Sequence, residues 1–261
     1  MESMENIYKT KKIIIIALII IVVIGVLVFS IRNKKETIIN PENDSSINKN
    51  IEEQKPISLC YYRGDKTIQG FYDIAWLKLN IMGDKVTGEF YNLPAEKDSK
   101  VGEFTGTVLP VDPMIINRKA TVWWNSRAEG MEVTEELAIE FGDKSATVGF
   151  GEMVDSQLGD GIYLYKDKSN LYYIDSMGQM DCKLLEEKLF AEKYIRDNIK
   201  TIAINKPVLG GSWYVISVVT NPVTHTGEVT YEDGHIQSTA TFAYLYQENP
   251  QSVTVTEFKV K

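Results

Sequence analysis

The densest set of side chains able to move protons is the acidic run Glu129-Gly130-Met131-Glu132-Val133-Thr134-Glu135-Glu136. Paired carboxylates do acid and base work in glycoside hydrolysis and hold calcium, so this run is the first place to look for either chemistry. Alternation sharpens the reading: Leu137, Ile139 and Phe141 mark a buried strand face, and Glu135 shares their parity. An inward carboxylate needs a cation such as Arg118 or Arg127, or its pKa rises. The segment also reads as a short helix with Val133, Leu137 and Phe141 on one side, and most such runs are solvated faces.

Trp123-Trp124 is the second candidate. Successive side chains of a strand leave opposite faces, so one ring points away from the core, where it can stack on a sugar or a protein partner unless another part of the chain covers it. Trp123, Trp124 and Glu135 are therefore the candidate ligand-binding residues. Cys60 and Cys182 are the only cysteines, and two cysteines in an exported chain are expected to pair. Closing a loop of about 120 residues stabilises by roughly 4 to 5 kcal/mol in the chain-entropy model. Neither has a neighbouring His or basic cluster to make it a nucleophile. His225 and His235 both fall in predicted turns and read as surface polar residues. No zincin, Walker, Rossmann or serine-elbow pattern occurs, so no catalytic residue, metal ligand or cofactor is assigned.

Those residues need a scaffold and a compartment. Residues 13 to 31 (IIIIALIIIVVIGVLVFSI) form 19 positions without a charge, close to the ~20 that cross a bilayer. They are read as an uncleaved transmembrane helix after a cytoplasmic tail at 1–12. Lysines and arginines balance across the segment, so orientation rests on the short tail and on the paired cysteines, which place the bulk of the chain outside the cell membrane. Residues 32–58 are rich in Asn, Ser, Glu and Lys and read as a flexible tether.

The first 58 residues hold 8 basic and 7 acidic side chains, so 20 basic face 29 acidic in the remainder. A surface that grips nucleic acid releases counterions through clustered Lys and Arg, and no such cluster follows residue 60; nucleic acid is excluded as a partner.

From residue 59 to 178 the apolar period is two, with turn residues every eight to twelve positions, as in barrels and sandwiches. Leu77, Leu79 and Ile81 lead through Gly83-Asp84 to Val86, Gly88 and Phe90, a hairpin with one buried face. Further strands are predicted over 101–109, 119–125, 136–141, 145–151, 162–165 and 171–174, with Gly88, Gly102, Gly106, Gly149 and Gly151 marking bulges or bends. At 179–206 the period becomes 3.6: Asp181 caps a helix of about twenty residues whose stripe is Leu184, Leu185, Leu189, Ala191, Ile195 and Ile199, with Glu192 and Arg196 paired four apart. Residues 207–261 return to β as a small meander, too short to bury a core alone and therefore expected to dock on the helix or the barrel. The fold class is mainly β: a transmembrane helix, a β-barrel or meander domain, one amphipathic helix and a small C-terminal β-meander.

The stretches Trp76-Leu77-Lys78-Leu79 with Gly83-Asp84-Lys85-Val86-Thr87-Gly88, and Gly210-Gly211-Ser212-Trp213-Tyr214 with Tyr231-Glu232-Asp233-Gly234-His235, resemble those of membrane-anchored bacterial β-rich extracytoplasmic proteins. A looser likeness is to calycin-type and lysozyme-inhibitor barrels. The resemblance implies ligand or protein binding and carries no residue roles. The function expected from the chain is that of a membrane-anchored extracytoplasmic binding module of the cell envelope, taking a glycan, a small apolar ligand or an envelope protein. The alternatives are a wall-glycan enzyme using residues 129–136 and a structural subunit of an envelope assembly.

Overall fold

The computed structural model describes residues 55 to 261 except 96, 111–116, 159, 160 and 209. The expected membrane helix at 13–31, its tail and nearly all of the tether lie outside the described residues. Among the described residues no helix is long and apolar enough to cross a membrane.

Alternation of apolar residues builds eight antiparallel strands that close on themselves. They are β1 (Ile57–Lys66), β2 (Tyr72–Met82), β3 (Lys85–Leu93), β4 (Lys100–Val108), β5 (Arg118–Ala128), β6 (Met131–Phe141), β7 (Ser145–Phe150) and β11 (Met177–Met180), which returns to β1. Three short strands, β8 (Met153–Asp155), β9 (Ile162–Tyr165) and β10 (Tyr172–Tyr173), cover the end where β6 outruns β7. There β9 runs parallel to β6, pairing Thr134 with Ile162. The acidic run is thus a hairpin and a strand, and the short-helix reading is corrected: Glu129 and Gly130 take positive φ at the turn, and Met131 to Phe141 pair with β5 throughout.

The barrel is filled. Leu77, Leu79, Phe90, Phe104, Val122, Trp124, Leu137, Ile139 and Val148 all project inward and are buried. Gly88 and Gly102 do not mark bulges, as β3 and β4 pair without a register shift. They mark close approaches of neighbouring strands: a Cβ on Gly88 would lie 1.9 Å from the Lys78 carbonyl oxygen, and one on Gly102 2.0 Å from that of Asn125.

The helix α1 (Cys182–Ile202) starts where the sequence places it, with Asp181 Oδ1 accepting the Lys183 and Leu184 N–H groups at 2.8 and 3.3 Å. It is followed by a four-stranded antiparallel sheet of β12 (Tyr214–Asn221), β13 (Thr226–Glu232), β14 (Gln237–Glu248) and β15 (Gln251–Val260). The helix is buried on two sides. Leu185 and Leu189 pack with Ile74, Trp76 and Cys60 on the outer barrel wall, while Ala191, Ile195 and Ile199 pack with Trp213, Val229, Tyr231 and Phe242 of the sheet. Cys60 and Cys182 are disulfide-bonded with Cα atoms 5.2 Å apart, fixing the start of α1 to β1.

Candidate functional site

The two tryptophans of β5 separate as strand geometry requires. Trp124 is 0% exposed inside the barrel, donates from Nε1 to the Gly102 carbonyl at 3.1 Å and packs against Phe90 with ring centroids 5.1 Å apart. Trp123 is 41% exposed on the outer wall. Its cross-strand neighbours are Thr105 and Glu136, and Thr87 extends the same row onto β3.

Glu135 stands opposite Trp124 and does point inward, 7% exposed. Its partner differs from both arginines the sequence offers: Lys100 donates to both carboxylate oxygens at 2.5 Å and lies 5.2 Å from the Trp124 ring centroid. Arg127 has the opposite parity and faces out. Arg118 shares the parity but sits six residues down β5, about 20 Å away at the rise of a strand, against the Phe141 ring. Trp124 and Glu135 therefore belong to the barrel interior, and of the candidate binding residues Trp123 alone meets solvent.

Glu136 leaves β6 on the other face, where Lys168 donates to it at 2.6 Å. Two adjacent carboxylates on opposite sides of a sheet, each with its own lysine, do not make the facing pair that glycoside hydrolysis uses. A facing pair exists elsewhere. Glu89 of β3 and Glu103 of β4 are direct register partners on the outer wall, in a row that continues through Asn125 to Thr134. The sequence carries no signal for it, since the residues come together only through the β3–β4 register.

Glu103, Asn125 and Thr134 of this row line a groove of about 620 Å³ on the outer wall, together with Tyr91, Arg127 and Glu132 among others. Trp123 stands one position pair from Asn125 on the same face of β5, at the side of the groove. Two side chains are pre-set. Tyr91 stacks on Trp76 with centroids 4.1 Å apart, and Thr134 Oγ1 donates to Asn125 Oδ1 at 2.8 Å, which leaves the Asn125 amide nitrogen as a donor. Burial, helped by the Glu89 charge and opposed by Arg127, raises the Tyr91 pKa and keeps its hydroxyl protonated. Among the described residues Glu103, Arg127 and Glu132 make no hydrogen bond or ion pair. The groove can thus accept hydroxyl protons on carboxylates, donate from an amide, a phenol and a guanidinium, and offer an aromatic plane beside them.

A second cleft of about 510 Å³ lies over the barrel mouth, lined by Arg63, Asp73, Asn92, Phe150, Tyr172 and Asp175 among others. Three of its charged groups are already engaged, since Arg63 bonds Asp175 at 2.8 Å and Asp73 accepts the Ala95 N–H at 2.8 Å, while Lys97 and Asp98 line it and make no ion pair among the described residues.

His225 takes a positive φ of 52° in the β12–β13 turn and lies 3.2 Å from Glu187. His235 follows the turn at Asp233 and Gly234, its N–H bonded to Asp233 Oδ1 at 2.9 Å. Among the described residues no group of His, Cys, Asp and Glu could hold a metal ion. No family model matches this chain, and neither does any curated protein or solved structure.

Proposed function

We propose that the chain is a glycan-binding module of the cell envelope, anchored by residues 13–31 with its barrel on the extracytoplasmic side. The observation that carries this reading is the exposed Trp123 ring beside a groove whose Glu103, Arg127 and Glu132 have no partner among the described residues. A sugar presents an apolar ring face and a rim of hydroxyls, which fit an aromatic plane flanked by planar polar side chains. In the groove lining Glu103 and Glu132 outnumber Arg127, so the charge favours a neutral or amino-sugar-bearing glycan over an anionic one. The filled barrel interior argues against a small apolar ligand held inside it. The carboxylates at 135 and 136, both already paired, argue against the hydrolase alternative. The disulfide supports an oxidising compartment.

The test is titration of the full-length chain, held in phosphatidylcholine nanodiscs, with soluble wall-glycan fragments and neutral oligosaccharides. Saturable binding is expected, weakened at least tenfold by Trp123→Ala with the far-UV spectrum unchanged. Undiminished binding by that variant, or no saturation by any fragment at millimolar concentration, would sink the reading.

A further inference from the structure

Arg196 on α1 is released from the partner its spacing offers. Glu192, four residues earlier, turns instead to Lys188, whose Nζ lies 2.7 Å from its Oε1, and to the Thr220 N–H at 2.9 Å. Among the described residues Arg196 makes no hydrogen bond or ion pair, and its partial enclosure lowers the guanidinium pKa from the ordinary arginine value, with the Glu192 charge opposing. The side chain lines a crevice of about 410 Å³ between α1, β12, the start of β2 and the segment after β3.

The crevice has two kinds of wall. Phe71, Ile74 and Leu93 supply apolar surface, while Lys97 and Ser217 join Arg196 as donors. Among the described residues no carboxylate lines it, although the chain as a whole carries a net charge of −8. The sheet is bent to make it. A bulge in β12 leaves Ile216 without a partner between Val215 and Ser217, so two consecutive residues, Ile216 and Ser217, face the same space. Its volume falls within the roughly 300 to 1,000 Å³ of ligand pockets. Lys97, exposed on the segment after β3, likewise makes no ion pair among the described residues.

We propose that this crevice is a second binding site, independent of the outer groove, for a small organic anion: a phosphate ester or carboxylate on a compact apolar body. The anionic head meets Arg196 and Lys97, with the Ser217 hydroxyl as a third donor, and the apolar body displaces water from Phe71, Ile74 and Leu93. Such a ligand touches the barrel, the helix and β12 at once, so its binding raises the unfolding temperature of all three together.

The probe is 2-naphthyl phosphate, titrated calorimetrically into the full-length chain in phosphatidylcholine nanodiscs. Its two halves, 2-naphthol and inorganic phosphate, serve as controls. The ester is expected to saturate, to raise the melting temperature, and to bind at least tenfold more tightly than either half. Arg196→Met should weaken it at least tenfold, Arg196→Lys should recover part of the loss, and Lys97→Met, at an exposed position, should weaken it severalfold without touching the fold. Dihexanoyl phosphatidic acid distinguishes the source of the anion: tighter binding with the same dependence on Arg196 assigns a lipid headgroup, and weaker binding assigns a soluble ester. The proposal is overturned if no anion saturates below millimolar concentration, if 2-naphthol binds as tightly as the ester, or if Arg196→Met and Lys97→Met both leave affinity unchanged.

Discussion

The barrel and the helix-backed sheet beside it are both β-rich and both well covered, yet they keep polar groups in different places. Inside the barrel the middle layers are hydrocarbon and aromatic, and polar atoms lie toward the two ends, as with Glu135 at one and the Tyr61 hydroxyl, bonded to the Gly142 carbonyl at 2.8 Å, at the other. Between α1 and the sheet, beside the apolar packing of Ala191, Ile195 and Ile199, a polar set is enclosed as well: Glu187, Lys188, Glu192 and Thr220 are all buried, Lys188 to 1% exposure. The difference follows from closure. A closed barrel has no edge, so its ladders satisfy the backbone and the interior needs only to be packed. The four-stranded sheet is open, and β12 is an edge strand. At Thr220 the outward N–H donates to Glu192 and the carbonyl accepts from Lys188. A buried ion pair on the helix thus does for one sheet edge what another strand would do.

The largest test of that contrast is Glu192→Ala, which strands a buried ammonium and an unbonded N–H; a loss of about 3 to 5 kcal/mol in urea unfolding is expected. Replacing the pair together, Lys188→Met with Glu192→Leu, should cost less than the single change, because no charge is left alone. A single-variant loss under about 1 kcal/mol would mean the edge is capped by something else. Next comes the disulfide that ties the two regions together. Cys60→Ala with Cys182→Ala should cost about 2 to 5 kcal/mol, and separate melting of barrel and sheet would show that the bond is what couples them.

Alkaline pH should act on both regions, since burial raises Tyr244 of the sheet as well as the tyrosines of the barrel. Burial pushes the hydroxyls of Tyr61 and Tyr165 up to about 12, from the ordinary 10.0. The folded state therefore holds protons that the unfolded chain releases. Stability is intact below pH 10 and falls between pH 10 and 12, by at most about 1.4 kcal/mol per pH unit for each tyrosine and by less where solvent screens the phenolate. Tyr165 matters most locally, since its hydroxyl donates to the Gly149 carbonyl at 2.6 Å and accepts the Ala138 N–H at 3.0 Å, bridging β6 and β7. Tyr165→Phe should lower stability at neutral pH by about 1 to 3 kcal/mol and flatten its decline between pH 10 and 12; an unchanged slope would remove this residue from the account. The smallest effect is Ile139→Val, a methylene lost from the packed barrel, at about 0.5 to 1.5 kcal/mol in the same urea assay.

Much of this architecture is readable in the chain, for physical reasons that differ from element to element. Strand alternation fixes Trp123 and Trp124 on opposite faces and turns Glu135 inward wherever β6 begins, so these follow from local parity alone. Asp181 announces α1 because capping is a local matter as well. What escapes is set by pairing between distant strands. Lys100 reaches Glu135 across 35 positions of chain, and Glu89 meets Glu103 through a register that the intervening segment does not advertise. Charge misleads on the helix: Lys188 and Glu192 look like a wet face, and only the open sheet edge explains why they are buried. Met177 to Met180 completes the barrel in four residues, fewer than periodicity can resolve.

The disulfide also fixes an order of events. Cys182 follows the last barrel strand by a single residue, Asp181, after Met180. As the chain is made from its N-terminus, Cys60 therefore waits until all eight staves have been synthesised before its partner exists. During synthesis the bond can close only after every barrel strand has been made, so it cannot guide the pairing of the earlier strands while the chain is still growing. Once shut, it encloses every loop from 61 to 181, so a protease that nicks any of them leaves both fragments in one covalent molecule, parted only when the sulfurs are reduced.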